Sequence, residues 1–506
     1  MLFNSFEYLI FLPIVVIFYN LLRGKFKNIF LLLASLTFYS FWNVKYTFLM
    51  ILSILITYMT GIFIESNRDS KTKMKLAVFL CFFINLGILF IFKYFNFFMD
   101  LAGKISGGNF NIALDLLLPV GISFYTFQAL GYTIDVYRKD LEAERSLIDY
   151  ALFVCFFPQL VAGPIERSRN LLPQIKNPKK FSYENLVRGL QLFFYGMFLK
   201  LILADRAAIF VNDAFGSYQT YSKEFLLIAG FLFTLQIYCD FYSYSIMAKG
   251  SAKILGINLM DNFKEPLLSK SITEFWRRWH ISLSTWFKDY LYIPLGGNRH
   301  GELRKCINLL IVFLVSGLWH GAELSFVLWG LIHGVFNILE SLIGINKSKK
   351  SNFLLDFFKR IFTLVIVVFA FIYFRAENIH QGNAYILGIL NNPSSYNLLE
   401  EIANSKFGLA NLYPLGVGIF ILLIFDILKY NKINLSEKIF KLFLPIRWIV
   451  YFAFLFAIII LAFMVQSFLS QPLFIFSFRW FNEKIFKNFK INNFSWLLNF
   501  CLPTTQ

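Results

Sequence analysis

Histidine is scarce in this 506-residue chain, and two of its five histidines lie in apolar sequence. The stretch "SGLWHGAELSFVLWGLIHGVF", from Ser316 to Phe336, contains His320 and His333. Ionisable side chains are poorly tolerated in a membrane, so each histidine is a candidate functional group. An imidazole can take up and return a proton near neutral pH. We therefore predict general-base chemistry for His320, and for His333 a structural hydrogen bond between helices.

The residues around His320 favour an accessible position. The apolar run before it, 307–319, is too short to cross a bilayer, so we expect a break at Trp319–Ala322 within the membrane. The small residues Gly317 and Gly321 would leave the ring uncrowded on one side. His320 and His333 are 13 residues apart, so on a continuous helix they would face different directions.

A third histidine lies in the basic and aromatic segment "SKSITEFWRRWHISLSTWFKDYLYIPLGGNRHG". Ser271 and Glu274 have capping-box spacing and predict a helix start, and Pro294 predicts its end. We expect this helix to lie in the membrane interface with its indoles at headgroup level. A lipid anchor would explain the pattern, but the position of His280 on the aromatic face favours a site. That face comprises Trp276, Trp279, His280, Leu283, Phe287 and Tyr290, whereas Arg277, Arg278 and Lys288 lie mostly away from it.

Transmembrane helices are the elements that must position these residues. The chain is 58% hydrophobic and 15% charged, which is too apolar for a soluble domain. Apolar runs of about 15–25 residues recur along it and predict an all-α polytopic membrane protein. The runs are 6–22, 28–42, 46–64, 76–98, 114–136, 188–204, 224–247, 307–319, 324–342, 361–375, 413–429 and 447–468.

The charges and cysteines exclude two other classes. The net charge of +18 sits in short loops, where it indicates topology and contact with anionic headgroups rather than nucleic-acid binding. The five cysteines are scattered singly and predict neither a metal site nor a disulfide framework.

Basic residues also predict the orientation of the chain. Lys and Arg cluster after the first, third, ninth and eleventh runs, and all fall in the cytoplasm if the N-terminus is outside. Residues 151–163 are apolar but short, and Pro158 and Gly163 break them, which predicts a re-entrant segment dipping in from the cytoplasm. Non-helical backbone at that depth must be buried in protein or line a cavity.

These motifs together resemble the membrane-bound O-acyltransferase (MBOAT) family, and more closely its bacterial branch that O-acetylates alginate. The two histidine motifs carry the resemblance, which covers roughly residues 1–480. Further matching stretches are "FPQLVAGPIERSRNLLPQI", "LPVGISFYTFQALGYTIDVYR", "QIYCDFYSYSIMAKGSAKILGI" and "FIFSF".

The resemblance implies an MBOAT fold of about 11–12 transmembrane helices around a central funnel, with cytoplasmic re-entrant segments and interfacial helices. Residues 1–480 would form a single transmembrane domain in a bacterial cell membrane. Its parts would be peripheral helices at 1–136, a catalytic core at 148–342 and C-terminal helices at 361–468, followed by a tail at 481–506.

The resemblance also implies acyl transfer, with no metal. Cytoplasmic acetyl-CoA would donate an acetyl group for O-acetylation of a cell-wall or exopolysaccharide, through a secreted or membrane-anchored SGNH-type partner. His320 corresponds to the invariant family histidine, and His280 to the second histidine of this branch. His320 would take the proton of an acceptor hydroxyl and return it to the leaving thiolate. His280 would orient the thioester arm or stabilise the oxyanion.

The remaining site assignments are expectations of the same kind. Lys264 to Lys305 holds eight Lys/Arg and four Asp/Glu, 8 − 4 = +4, which suits coenzyme A phosphates or lipid headgroups equally. Within it Arg278, Lys288 and Arg299 are candidates for binding coenzyme A. The substrate-channel candidates are Trp319, Asp240, Trp276, Arg277, Trp279, Trp286, Asp289, Glu323 and Asn298.

The chain departs from the family pattern at two places. Relatives often have D-F-S-G-Y-S-D-M-A where this chain has "DFYSYSIMA". Asp240 is kept, but Ser243 replaces the glycine and Ile246 replaces the second acidic residue, which excludes a charge or metal role at Ile246. Glu323 stands where relatives commonly have a small residue, and it would either orient His320 or merely solvate the channel.

Three alternative functions stay open at this point, and the weakest is a structural scaffold that recruits a secreted transferase without chemistry of its own. D-alanyl transfer to teichoic acid, with a carrier-protein thioester as donor, uses the same chemistry; the chain length and the "YIPLGGNRHG" ending fit the acetylating branch better. A polytopic transporter of lipid or polysaccharide would be favoured by inverted repeats with broken helices, and no such internal symmetry is visible.

Overall fold

The computed structural model describes residues 1–107, 113–161, 163–344 and 352–463. Throughout these ranges the regular structure is helical, and no strand occurs in them. The helices are α1 Phe6–Leu21, α2 Lys25–Ser40, α3 Val44–Ser66, α4 Lys71–Leu89, α5 Phe95–Ile105, α6 Ile122–Tyr137, α7 Leu147–Cys155, α8 Ser168–Lys176, α9 Tyr183–Phe198, α10 Asp205–Gly216, α11 Lys223–Ile254, α12 Ile272–Arg278, α13 Ile281–Phe287, α14 Gly301–His320, α15 Leu324–Ile343, α16 Phe353–Arg375, α17 Ile379–Asn391, α18 Leu398–Asn404, α19 Leu412–Tyr430, α20 Leu435–Phe440 and α21 Leu444–Phe463.

The helix lengths confirm an all-α polytopic membrane protein. In the described ranges, eight helical stretches are long and apolar enough to cross a bilayer. Two of them are continuous through π-helical turns: Lys71–Ile105 through Phe90–Tyr94, and Tyr183–Gly216 through Leu199–Ala204. The predicted tail 481–506, the "FIFSF" motif and the end of the run 447–468 lie outside the described residues.

Several predicted runs have different bounds in the structure, among them 307–319 and 114–136. The run 307–319 is part of a longer helix, because α14 begins at Gly301 and has 20 residues. Charged residues such as Glu302 and Arg304 lower the hydropathy of its first turns, so the apolar run in the sequence is shorter than the helix. The run 114–136 is helical only from Ile122, where α6 follows the left-handed Gly121.

Glycines let the central helices pack closely rather than opening space beside His320. A Cβ at Gly317 would collide with the carbonyl oxygen of Phe326, and one at Gly330 with the carbonyl oxygen of Phe313. A Cβ at Gly321 would overlap the ring of Phe326. Small residues of this kind allow helix backbones to approach within a membrane. The expectation that Gly317 and Gly321 leave the imidazole uncrowded is therefore wrong, since they hold α14 against α15.

The predicted interfacial helix is broken into two pieces at His280. Its start is confirmed, because Ser271 Oγ accepts a hydrogen bond from the Glu274 amide at 3.0 Å. However, α12 ends at Arg278 and α13 begins at Ile281. Trp279 and Leu283 are 3% and 1% exposed, buried in protein. The lipid-anchor interpretation is therefore wrong, since the aromatic stripe packs inside the molecule.

The apolar segment after α7 is also buried in protein. Every residue from Ala151 to Leu160 is buried, and Ala162 lies outside the described residues. The Phe157 amide donates to Ser35 Oγ at 3.1 Å, and the side-chain amides of Gln128 and Gln159 both donate to the Phe153 carbonyl at 2.6 Å. These bonds satisfy backbone groups that have no helical partner, as the sequence interpretation required.

Candidate active site

The rings of His280 and His320 lie next to each other. Their centroids are 6.2 Å apart and their planes are tilted by 59°. The two residues belong to different elements, since His320 ends α14 and His280 separates α12 from α13. The structure thus brings together the two histidines that the sequence assigned to catalysis.

His320 is held where the chain leaves a helix. Gly321 is extended, with φ −159°, and α15 begins at Leu324, which confirms the predicted break. The rings of Trp319, Trp329 and Phe374 surround the imidazole at 4.9, 5.2 and 5.3 Å between centroids. His320 nevertheless remains half-buried, whereas His280 and His333 are 1% and 0% exposed. Of these three histidines it is the least buried.

His280 is held in a strained backbone conformation. Its φ is +44°, in the left-handed region that non-glycine residues seldom adopt. Asn262 holds the following turn, because its carbonyl accepts from the Ile281 amide at 2.9 Å and its side chain accepts from Ser282 Oγ at 2.6 Å. Ser282 Oγ in turn accepts from the Ile165 amide at 3.0 Å. Strain maintained by several bonds is common at functional sites.

Both ring nitrogens of His280 are buried without a hydrogen-bond partner in the described part of the chain. Its neighbours are aromatic: Phe241 packs edge-on at 4.6 Å, and Trp319 and Phe124 lie at 6.0 and 6.3 Å. Buried polar atoms usually have partners, and those that lack one need a reason.

Lys93 is a site residue that the sequence interpretation missed. It lies in the π-helical turn Phe90–Tyr94, and its Nζ donates to the Trp319 carbonyl and, at 3.3 Å, to Ser123 Oγ. It forms no ion pair with a carboxylate in the residues that the structure describes. A basic residue inside the apolar run 76–98 was the available signal, since such residues are rare in spanning helices.

His333 lies in a separate aromatic cluster. Its ring is 5.1 Å from Trp276 and Trp329 and is stacked at 6.1 Å on Phe275. Neither ring nitrogen has a hydrogen-bond partner among the described residues. The predicted interhelical hydrogen bond is therefore wrong among the described residues, where the ring lies in an aromatic cluster instead.

The four tryptophans among the channel candidates have different surroundings. Trp319 borders the rings of both His280 and His320. Trp286 stacks on Phe127 at 4.0 Å, and its indole donates to the Phe127 carbonyl at 2.9 Å. Trp279 packs against Phe263 at 5.0 Å, and Trp276 belongs to the cluster around His333.

Two of the three acidic channel candidates, Asp240 and Asp289, are engaged in ion pairs. Asp240 accepts from Lys200 Nζ at 2.6 Å, and the same ammonium pairs with Asp205 at 2.7 Å. This triad joins α11, which carries Asp240, to Lys200 in the π-helical turn after α9 and to Asp205 at the start of α10. Asp240 directly precedes Phe241, whose ring packs on His280. Asp289 pairs with Arg167 at 3.0 Å. These carboxylates therefore position the elements around the site.

The motif "GPIER" is part of the same scaffold. Glu166 is 1% exposed and accepts hydrogen bonds from the Met260 amide and, at 2.6 Å, from Asn170. Burial raises the pKa of Glu166 to about 7. The Arg167 guanidinium lies over the ring of Tyr290 at 4.4 Å. The motif thus ties the buried segment after α7 to the elements that follow His280.

The remaining candidates lie nearer the surface. Arg278 pairs with Glu274 at 2.9 Å and Glu265 at 3.6 Å. Glu323 caps α15, and its charge lies close enough to Lys104 to interact with it. Five candidates are exposed: Arg277, Lys288, Asn298, Arg299 and Glu323. Of the three basic candidates for coenzyme A, only Lys288 and Arg299 have exposed side chains.

Across the described ranges, no group of three His, Cys, Asp or Glu is gathered as metal ligands.

Comparison with known proteins identifies the family of this chain. The family model described as MBOAT, membrane-bound O-acyltransferase family, matches residues 138–379, which contain His280 and His320. A protein of Pseudomonas syringae pv. tomato named "Probable alginate O-acetylase AlgI" is 39% identical over 393 residues, 76% of this chain and 74% of its own. The "Peptidoglycan O-acetyltransferase" of Helicobacter pylori is 35% identical over 425 residues, covering 77% and 80%. The "Teichoic acid D-alanyltransferase" of Bacillus subtilis is 27% identical over 282 residues, covering 53% and 71%.

A multi-pass helical membrane protein with this family match is an acyltransferase enzyme. The similarity to the first two relatives covers most of the chain, so the chain belongs to the membrane-bound O-acyltransferase family. The transporter alternative is thereby set aside.

Proposed function

We propose that this protein is an O-acetyltransferase that moves an acetyl group from cytoplasmic acetyl-CoA to a hydroxyl acceptor outside the cell. The observation that carries the proposal is the pair of neighbouring histidines, of which the half-buried His320 is the less buried. A thioester is already activated, so the enzyme needs to supply a base, a fixed geometry and a dry path.

The transfer would proceed at His320. An imidazole nitrogen takes the proton of the acceptor hydroxyl as its oxygen attacks the thioester carbonyl, and a C–O bond forms. The C–S bond then breaks, and the departing thiolate takes the proton back from the imidazolium. General acid–base catalysis of this kind contributes about 10²–10⁴-fold in rate.

His280 would act as a neutral hydrogen-bond donor to the oxyanion or to the thioester arm. A charged imidazolium at this position would be buried without an acidic partner in the described part of the chain, which is costly. Its constrained backbone, held through Asn262 and Ser282, keeps the ring next to His320. Donors fixed in advance contribute most to stabilising an oxyanion.

Lys93 would stabilise negative charge as the C–S bond breaks. Its ammonium donates to the carbonyl of Trp319, the residue that precedes the catalytic base. That hydrogen bond fixes the end of α14, and the charge lies near the place where the oxyanion or thiolate develops.

The acetyl group is favoured by two relatives, which are named alginate O-acetylase and peptidoglycan O-acetyltransferase. The relative named for D-alanyl transfer is less similar and shares about half of this chain. The final acceptor would accordingly be a cell-wall or exopolysaccharide hydroxyl, reached through a secreted or membrane-anchored SGNH-type partner.

The proposed setting is a bacterial cytoplasmic membrane with the N-terminus outside. The exposed Lys288 and Arg299 would then lie on the inner side, available to the phosphates of coenzyme A. Residues 1–480 would act as one transmembrane domain, with 148–342 as its catalytic core and 481–506 as a tail.

Isotope-labelled acetyl-CoA tests the proposal. The full-length protein in proteoliposomes, given acetyl-CoA labelled in the acetyl group, is expected to transfer label to a polysaccharide fraction of its host together with its partner protein. Labelled D-alanyl carrier protein serves as the competing donor. Transfer from the carrier and none from acetyl-CoA would establish the D-alanyl alternative instead.

A further inference from the structure

A cavity of about 710 Å³ lies between α9, α19, α20 and α21, and it does not include the histidines of the active site. Its walls are mainly apolar, from side chains such as Leu190, Phe194, Ile246, Phe425 and Leu455. α21 forms one wall and is the least buried of the eight spanning stretches. The cavity therefore lies at the periphery of the bundle, where lipid surrounds the protein.

Two lysines give this apolar cavity a positive end. Lys429 donates to the Tyr242 hydroxyl at 2.9 Å and lies over the ring of Tyr195 at 4.7 Å. Lys432 is exposed, and in the described residues neither ammonium is paired with a carboxylate. By contrast, Lys441 and Arg188 nearby both pair with Glu437. The carboxylates of Asp426 and Glu265 interact with Lys429 at longer range, so the exposed Lys432 carries the charge that is most available to a ligand.

Three of the other polar side chains in the lining, Gln191, Ser436 and Tyr451, are hydrogen-bonded to one another. The Gln191 amide donates to the Tyr451 hydroxyl at 2.6 Å, and its carbonyl accepts from Ser436. Trp448 also lines the cavity, and tryptophan and tyrosine are typical of the membrane–water boundary. The cavity therefore has apolar walls, a positively charged end and aromatic residues near that end. These features match a ligand with apolar chains and an anionic headgroup.

We propose that this cavity binds one anionic phospholipid, with its acyl chains among the apolar side chains and its phosphate at Lys429 and Lys432. Basic pockets between transmembrane helices bind lipid headgroups by this combination of charge and apolar contact. The proposal is independent of the acyl-transfer reaction, because the site and its ligand differ from those of the histidine pair.

Native mass spectrometry tests the headgroup preference. Full-length protein released from nanodiscs of equal phosphatidylglycerol and phosphatidylcholine is expected to retain one phosphatidylglycerol. Lys432→Gln should lower that occupancy at least fivefold, and Leu190→Trp should lower it by filling the cavity. Lys73→Gln, which removes an exposed lysine on α4, is the matched control and should leave occupancy unchanged. Equal retention of both lipids, or no effect of Lys432→Gln, would overturn the proposal.

A photoreactive benzophenone side chain at Leu190 identifies the occupant directly. Irradiation in native-composition membranes should yield a protein adduct with the mass of a phospholipid. Cross-links to a peptide from residues 464–506, or to a second copy of the chain, would show that protein fills the cavity and would contradict the proposal.

Discussion

The imidazoles of His280 and His320 lie 6.2 Å apart between ring centroids, although 40 positions separate them in the chain. One ring is fully buried with both nitrogens unpartnered, and the other is half-buried at the end of a helix. This difference in burial supports the two proposed roles. A general base must contact its substrate, whereas a hydrogen-bond donor that stabilises an oxyanion must be held in place and shielded from water.

Replacing His280 is expected to reduce turnover strongly. His280→Ala removes the proposed donor, and loss of one such donor costs about 10²–10³-fold in kcat. His280→Asn is the informative control, because asparagine tolerates the left-handed backbone and should preserve the fold. Steady-state kinetics with full-length protein measure both variants. Full activity in His280→Ala would reduce this residue to a purely structural role.

His333 is expected to be dispensable for catalysis. His333→Ala should retain appreciable activity, and His333→Phe should keep kcat within about threefold, because an aromatic ring of similar size preserves the cluster. The phenylalanine variant should also melt at a higher temperature, since a buried polar group without a partner costs about 1–3 kcal/mol. Thermal unfolding and activity are measured together. A loss in His333→Ala equal to that in His320→Ala would break the assignment of roles.

Lys93 is expected to affect kcat more than KM. Lys93→Met should lower kcat roughly 10–100-fold, because a hydrogen bond to a charged group is worth about 1.5–3 kcal/mol. Lys93→Arg keeps the charge and should restore part of the loss. A structural role alone predicts lower thermal stability with unchanged kcat in the folded fraction, so both quantities are measured. Equal kcat in the wild type and Lys93→Met would exclude the electrostatic role.

Glu166 should make stability depend on pH. Its pKa is raised by burial to about 7 from an ordinary value of 4.5, so between these values the folded state holds a proton that the unfolded state has released. Raising the pH through this window therefore destabilises the wild type, and the effect levels off above about pH 8. Glu166→Gln cannot titrate, so its melting temperature should fall less between pH 5 and 8. Parallel curves for the two proteins would refute the assignment.

Much of the scaffold and half of the site could be predicted from the sequence. Hydropathy located the spanning stretches because a segment in lipid must pair its own backbone N–H and C=O groups, and so each span is one long apolar helix. The break at His320 could be predicted from the short run before it, although α14 proved longer at its charged start. The break at His280 could not be predicted from the sequence, because the aromatic residues on both sides of it follow the period of one continuous helix. The interruption is stabilised by hydrogen bonds that link Ser282 to Asn262 and to the segment after α7, and these contacts are visible only in the structure.

The contact between the two histidines was beyond sequence reasoning on residues alone. It depends on the packing of α14 against α15 through glycines and on the left-handed turn at His280. Lys93 was missed because the run around it was read only as a membrane span. Its position inside that run was the signal that merited a functional hypothesis.

The most direct test of the account is the rate of thiol release from acetyl-CoA by His320→Ala in proteoliposomes with partner and acceptor present. The account predicts normal expression and membrane insertion, with release and acetyl transfer reduced about 10²–10⁴-fold relative to the wild type. His333→Ala, prepared in the same way, should retain appreciable activity. Wild-type rates in His320→Ala would contradict the account, because the proton would then be taken by another group.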